Sequence, residues 1–317
     1  MAIRVGVIGA TGNTGTMVVE GLLSSSTDFF ITSFTREGSV HNQANQKLKE
    51  KGVKIAGYDL DGARARLVEQ LKEIDVLISC ITWEHLHLQL PWIVAAKVAG
   101  IKCFIPSEWV GPAPRGVIDI KDKKLEVLAA IQRARLPYTI IDVGCYYQVW
   151  VPRVPSGCVK FALTDLSDIG KYVAQIIADP RTLNKHVLAY TEVLSMNEIW
   201  DVMAKASGEE PPKDYVTEAE LHEIIASCRA RLKPSPEDKA HHPRNIMDTA
   251  NFNMGQYRIS WCVRGDNTPE YADYLGYLNF WKLFPEFPKG KSLEQFYREV
   301  LDGAPLDTAT VPESKEN

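Results

Sequence analysis

The 317-residue chain is 45% hydrophobic and 24% charged, a balance that fills a sizeable core and excludes a disordered chain. Its 36 basic and 40 acidic residues leave a formal charge of −4, so no basic excess points to nucleic acid as a partner. No run of the sequence approaches the roughly 20 apolar residues of a membrane helix, and residues 1–6 lead into a strand pattern without the features of a secretory leader.

Taken in chain order, the apolar pattern predicts a compact strand over 3–8, a helix over 14–23, a second strand over 29–35 and a third over 53–58. A helix over 63–72, a strand over 76–81, a helix over 86–99 and a strand over 101–105 follow. A helix over 125–134 and a sixth strand over 138–143 complete the first half. Strand–helix alternation with strands apolar on both faces implies an α/β fold, a parallel sheet covered by helices on both sides. Residues 151–157, rich in proline and turn formers, mark a crossing between two lobes.

Beyond that crossing, Asp168 is expected to cap a helix over 169–178 that Asp179-Pro180 closes. A short strand is expected at 187–190. Ser195 and Glu198 form a capping box for a helix that Gly208 stops. A helix over 218–230, a polar loop over 233–243, an aromatic-rich stretch over 252–288 and an amphipathic helix over 292–301 follow, with a frayed tail from Gly303.

The six cysteines, Cys80, Cys103, Cys145, Cys158, Cys228 and Cys262, include no CxxC pair. Three of them lie in or beside apolar strand segments, the pattern of free thiols in a reducing, cytoplasmic compartment.

The strongest motif is Gly9-Ala10-Thr11-Gly12-Asn13-Thr14-Gly15, placed between the first strand and the first helix. Gly9 permits a tight turn, Gly12 lets the backbone approach a diphosphate, and Gly15 allows close helix–strand packing. The helix start offers free N–H groups and the positive dipole end. Residues Gly9, Thr11, Gly12, Asn13, Thr14 and Gly15 are therefore expected to bind a dinucleotide. The fold becomes a Rossmann doubly wound parallel sheet, strand order 3-2-1-4-5-6, with a smaller α/β substrate-binding lobe. An NAD(P)-binding domain over 1–150 is expected, then the substrate lobe over 151–317, some of whose segments return to the sheet.

About 20 residues past the glycines, where an acidic side chain would hold the ribose 2′-hydroxyl of NAD, the chain has Thr35-Arg36. A guanidinium pairs bidentately with a 2′-phosphate, so the expected cofactor is NADPH (NADP+). Glu37 keeps NAD as an alternative. Asp59, after the third strand, is placed either to approach the adenine edge or to form a turn.

No tyrosine is followed by lysine four residues later, so the Tyr-x-x-x-Lys acid/base pair of ordinary short-chain dehydrogenases is absent. A lysine near the cofactor is the alternative proton handler, because burial and a neighbouring cation both lower its pKa.

The glycine loop, Arg36, Phe104-Ile105-Pro106-Ser107-Glu108, Lys124 and Leu136-Pro137-Tyr138-Thr139 together resemble the isoflavone reductase-like family. That family includes pinoresinol–lariciresinol, phenylcoumaran benzylic ether and eugenol-forming reductases. It sits among the NmrA-like atypical short-chain dehydrogenases. The resemblance spans about residues 3–150, and the segment 260–269 looks like fungal members of the group. It implies that Lys124, 13 residues before Pro137, acts on the substrate and holds the nicotinamide ribose. The bland alternative is a solvated basic turn shared with Lys121 and Lys123. The helix face expected around Lys124 runs through Leu125, Leu128 and Ile131.

At the strand ends, Thr82 and Trp83 are expected beside the nicotinamide. Ser107 is read as a cofactor or substrate contact or as a turn, and Tyr146 and Tyr147 as pocket wall or plain core. Trp261 and Arg264 are candidates for an aromatic, oxygenated ligand. His222, His241 and His242 are alternatives, but no carboxylate stands at a useful spacing, so no metal site is expected.

These readings converge on an NADPH-dependent reductase of an aromatic or polyketide-type secondary metabolite, a monomer or homodimer without nucleic-acid or membrane partners. A dinucleotide-sensing regulatory protein and a non-redox isomerase or cyclase are the competing classes.

Overall fold

A computed structural model describes residues 2–59, 64–149, 153–210, 212–232 and 243–304. The first half runs β1 (Ile3–Ile8), α1 (Asn13–Leu23), β2 (Phe29–Arg36), α2 (Gln43–Glu50), β3 (Lys54–Tyr58), α3 (Arg64–Leu71) and β4 (Val76–Ser79). It continues through α4 (Gln89–Ala99), β5 (Cys103–Ile105), α5 (Asp119–Arg133), β6 (Thr139–Asp142) and β7 (Cys145–Tyr146). Five parallel strands form one sheet in the order β3-β2-β1-β4-β5. The expected Rossmann sheet is present. Its sixth strand is displaced: β6 meets β5 only through a Phe104–Tyr138 bridge. It pairs instead in parallel with a strand from the second half.

That second half comprises β8 (Lys160–Thr164), α6 (Leu166–Ala178), β9 (Lys185–Leu188), β10 (Glu192–Ser195), α7 (Met196–Ser207) and α8 (Glu218–Arg231). Then come α9 (Pro243–Arg258), a π-helical turn (Ile259–Arg264), α10 (Pro269–Tyr274), β11 (Leu278–Asn279), α11 (Phe280–Leu283) and α12 (Leu293–Leu301). Strands β9 and β11 run parallel beside β6 and continue the plane of the main sheet. A separate small sheet has the order β10-β8-β7.

One core lies between the sheet and α1 and α6. Val5, Val7, Ile78, Ile105, Ile141, Tyr172 and Phe280 are buried in it. Helices α1 and α6 touch at their backbones, because a Cβ on Gly21 would sit 2.0 Å from the Gly170 carbonyl carbon. The opposite face packs Phe34, Leu77, Trp92, Phe104, Val127 and Ile131. A third cluster around Phe161, Trp200, Trp261 and Phe296 is the core of the small lobe. Each such buried side chain contributes about 1.5–3 kcal/mol.

Helix α6 starts three residues before the expected cap. Asp165, not Asp168, accepts from the Ser167 amide at 2.8 Å. Asp168 is buried inside the first turn and accepts from the Lys291 amide at 2.8 Å and Lys171 Nζ at 2.7 Å, a tertiary role that local pattern does not reveal. The Ser195–Glu198 capping box and the Gly208 stop are present as expected. Helix α2 and strand β8 escaped the sequence reading: α2 has a single fully buried apolar residue, Leu48, and β8 follows directly on a turn-rich segment. The expected loop at 233–242 and the tail beyond 304 lie outside the described residues. Among the described residues, no helix is long and apolar enough to cross a membrane.

Candidate active site

Parallel strands bring their C-terminal ends to one edge, where doubly wound folds bind ligands. Four strand ends assemble the site here. After β1, Gly9 adopts φ +78°, and a Cβ on it would strike the Cys80 carbonyl oxygen at 2.7 Å. Gly15 is tighter still, for a Cβ on it would lie 2.0 Å from the Gly9 oxygen. Gly12 differs: a Cβ there meets only the Gly9 oxygen at 3.5 Å, so nothing in the protein itself demands glycine. No side chain caps α1, and the helix start is left to an external acceptor. Open space at Gly12 and an uncapped helix fit a diphosphate.

Arg36 ends β2 and is exposed, paired in register with Tyr58 of β3. It makes no ion pair among the described residues, whereas its neighbour Glu37 is engaged by Arg66 at 2.6 Å. Asp59 stands exposed just past β3. Thr82 opens a short 3₁₀ turn and its hydroxyl lies 3.0 Å from His85 Nδ1. Trp83 is half-buried against the α4 side of the core.

The loop after β5 is built from buried groups. Ser107 is spent internally: its hydroxyl donates to the Ile81 carbonyl at 2.7 Å and its amide to Gln89 Oε1 at 2.8 Å. Its expected contact with a ligand gives way to a clamp between the ends of β4 and β5. Glu108 follows, 5% exposed, and then Trp109, whose indole N–H donates to the Ser79 carbonyl at 3.0 Å.

Helix α5 begins at Asp119, so Lys124 lies in its second turn rather than at its start. The buried face is Lys121, Lys124, Val127 and Ile131, while Leu125 and Leu128 are only half-buried. This corrects the expected face by about one position and replaces the solvated basic turn with two buried lysines. Lys124 Nζ donates to the Glu108 carbonyl. Lys121 Nζ reaches Glu108 Oε1 at 2.5 Å and Asp142 Oδ1, at the end of β6, at 3.2 Å.

Burial pulls the Lys124 ammonium down to about 8, Lys121 adding to the pull and Glu108 opposing it. Burial also works against the Lys121 charge, but Asp142 and Glu108 outweigh it and hold Lys121 above the usual lysine range. Glu108 stays below the usual carboxylate range because Lys121 and Lys124 overcome its desolvation. Asp142 is pushed up to about 6 by burial against the pull of Lys121.

The C-terminal lobe closes this cluster. Gln256 of α9 caps α5, accepting from the Asp119 amide at 3.1 Å and donating to Asp119 Oδ1 at 2.7 Å. Tyr257 feels the charges of Lys121 and Glu108 and stacks on Trp261, ring centroids 4.6 Å apart. Trp261 is therefore one ring removed from the lysines, buried between Tyr257 and Phe161. Tyr146 reaches the Trp109 carbonyl at 2.8 Å and has the Thr14 side chain within hydrogen-bonding reach.

Two expected ligand contacts point elsewhere. Tyr147 faces the small-lobe core, where its hydroxyl donates to Glu192 Oε2 at 2.6 Å, because successive strand residues face opposite sides. Arg264 pairs with Asp266 at 2.8 Å at the end of the π-helical turn, which fixes that turn. His222 is exposed beside Glu218 at 3.6 Å, and His241 and His242 lie outside the described residues.

Sequence reading passed over Glu108 as a functional group, and Asp142, Lys121, Trp109 and Gln256 entirely. Asp142 carried a signal: a carboxylate inside the apolar run Thr139–Asp142 with no turn former next to it. So did Lys121, one turn before Lys124 on the same face.

A family model for the NmrA-like family matches residues 1–263. The chain belongs to the NmrA-like family. Asnovolin J 5′,6′-dehydrogenase of Aspergillus novofumigatus is 38% identical to this NmrA-like chain over 322 residues, covering 95% of it and 96% of the relative. Eugenol synthase 1 of Petunia hybrida is 30% identical over 253 residues, 70% of the NmrA-like chain and 80% of the relative. The leucoanthocyanidin reductase–NADPH complex of Vitis vinifera shares the fold, with a TM-score of 0.76 at 23% identity over 94% of this chain and 99% of that one. The expected kinship with isoflavone reductase-like proteins is thus borne out.

Proposed function

We propose that the protein is an NADPH-dependent reductase of an aromatic or polyketide-type secondary metabolite, with an electron-poor carbon of a quinone methide, enone or carbonyl as hydride acceptor. The observation that carries this reading is Lys124: a buried lysine at the sheet's C-terminal edge, aimed at a neutral carbonyl and drawn down to about 8. A lysine so placed exchanges a proton near neutral pH. The reductase and dehydrogenase names of the relatives, and the NADPH complex of the leucoanthocyanidin reductase, support it.

NADPH, when bound, supplies the hydride. The backbone amides from Gly9 to Gly15 and the α1 start would hold its diphosphate, and Arg36 its 2′-phosphate. Thr82 and Lys124 would flank the nicotinamide end, with Trp83 beside the substrate. Lys124 Nζ gives its proton to the substrate oxygen that gathers negative charge and is left as a neutral amine, which solvent reprotonates. Burial keeps this exchange sensitive to nearby charges.

One relative is named a dehydrogenase, which favours a second reading of the same site: oxidation, with the neutral Lys124 amine accepting the proton. A panel of aromatic enones, quinone methides and carbonyls, assayed in both directions, tests the two together. Lys124→Ala should lose turnover in either direction while calorimetry still shows NADPH bound. Full turnover by that variant removes Lys124 from the reaction.

A further inference from the structure

Lys121 and Lys124 share the buried face of α5, and two carboxylates, Glu108 and Asp142, are buried with them. The pairing is unequal. Lys121 takes Glu108 Oε1 at 2.5 Å and Asp142 Oδ1 at 3.2 Å, with side chains 3%, 6% and 0% exposed. Lys124 takes neither carboxylate; its ammonium goes to the Glu108 backbone carbonyl. A lysine locked into a buried ion pair holds its proton, because separation leaves an uncompensated charge. A lysine on a neutral carbonyl is not so held.

We propose that Lys121 is a positioning residue for Lys124: it occupies the Glu108 and Asp142 carboxylates, fixes the Glu108 backbone at which Lys124 is aimed, and so keeps the Lys124 ammonium out of a carboxylate pair. This rests on the reading of Lys124 as the proton handler.

The groups facing the cluster are few. Glu108 comes from the loop after β5, Asp142 from β6, His186 from β9, Tyr257 from α9 and Tyr277 from the approach to β11. Burial pulls His186 down to about 4, so it is neutral near pH 7. Burial pushes both phenols up, so they stay protonated. The charge around Lys124 is therefore set by Lys121, Glu108 and Asp142. Lys121 gathers both negative charges, and the direction of the Lys124 shift agrees with that arrangement.

The test is an NMR titration of protein labelled at lysine Cε, needing no substrate, with the Lys124 resonance assigned by its loss in Lys124→Ala. In the unaltered protein the midpoint should fall near 8. The double variant Lys121→Met/Asp142→Asn removes a cation together with one carboxylate, which preserves the charge balance and the fold, read by circular dichroism. It leaves Glu108 to pair with Lys124, and the midpoint should rise by about one unit or more. Lys121→Arg keeps the cation and should hold the midpoint within about half a unit. Asp142→Asn alone keeps the Lys121–Glu108 bond and should leave it at or below its original value.

An unmoved midpoint in the double variant overturns the proposal, as does an equal rise in Asp142→Asn alone. Should the double variant not fold, a rise in Lys121→Arg or in Asp142→Asn overturns it by itself. Full turnover by Lys124→Ala removes the proton-handling reading and this inference with it; an unmoved midpoint removes only the inference.

Discussion

The Tyr146 hydroxyl donates to the Trp109 carbonyl across 2.8 Å, and this bond ties the chain after β6 to the loop that carries Glu108. Trp109 sits at φ 48°, a backbone region that strains a bulky residue. Its indole is held from the other side by the Ser79 carbonyl at 3.0 Å. The Thr14 side chain reaches the same phenol, so one tyrosine connects the glycine loop, through Trp109, to the residue at which Lys124 points. Tyr146→Phe should cost about 0.5–1.5 kcal/mol of stability in urea denaturation, the worth of one buried hydrogen bond. Turnover should fall more than NADPH affinity, because the loop amides stay in place while the Trp109–Glu108 segment loosens.

Two glycines of one loop should respond in opposite ways. Gly15→Ala forces a Cβ to within 2.0 Å of the Gly9 oxygen and 2.8 Å of its carbonyl carbon. Backbone cannot yield as a side chain does, so a loss of about 3 kcal/mol or failure to fold is expected. Gly12→Ala meets only one atom, at 3.5 Å, and should cost at most about 1 kcal/mol as an N-cap change. Its NADPH affinity should nonetheless drop at least about tenfold, since the new methyl stands where a diphosphate approaches. Thermal unfolding and calorimetry of the pair separate structure from binding; an unchanged NADPH Kd in Gly12→Ala places the diphosphate elsewhere.

Arg36 and Glu37 compete for the adenosine ribose. The Arg66–Glu37 pair at 2.6 Å draws the acid aside and leaves Arg36 free to meet a phosphate. Arg36→Ala should weaken NADPH at least about tenfold and leave NADH nearly unchanged, as the loss of a charge-assisted contact requires. Arg66→Ala should narrow the NADPH preference only a few-fold, because both members of that pair are about half exposed or more and screened by water. Equal losses for both nucleotides in Arg36→Ala would remove its role in choosing between them.

The sheet was readable because its information is local. Strand β1, the glycine loop and α1 follow one another without a break, and the apolar runs of β2, β4 and β5 bear their burial in their composition. Lys124 was reachable only through a spacing shared with a family, since a lysine among Lys121 and Lys123 reads as a wet surface. What escaped depends on contacts between distant segments. Asp142 lies 21 residues from Lys121, and Gln256 lies 137 residues from the Asp119 it caps. Tyr147 was misplaced for a smaller reason. Two adjacent tyrosines on an extended segment face opposite ways, and nothing local says which of them meets the site.

The Lys124 midpoint near 8 fixes the sign of the pH dependence. Reduction needs the ammonium as donor, so its rate should be level below about pH 8 and fall tenfold per unit above it. Oxidation needs the free amine, and its rate should rise through the same midpoint. Lys121 and Glu108 keep their charges over this range, so a second bend, near 6, belongs to Asp142. Stability carries the same signature. The unfolded chain binds the lysine proton up to about 10.4, above the folded value, so between the two the unfolded state holds more protons and folding strengthens as pH rises. Lys124→Met should abolish that gain in urea denaturation at about pH 7.5 and about pH 10. A reductive rate that stays level to about pH 10 would leave Lys124 a buried structural lysine and assign the proton to another donor.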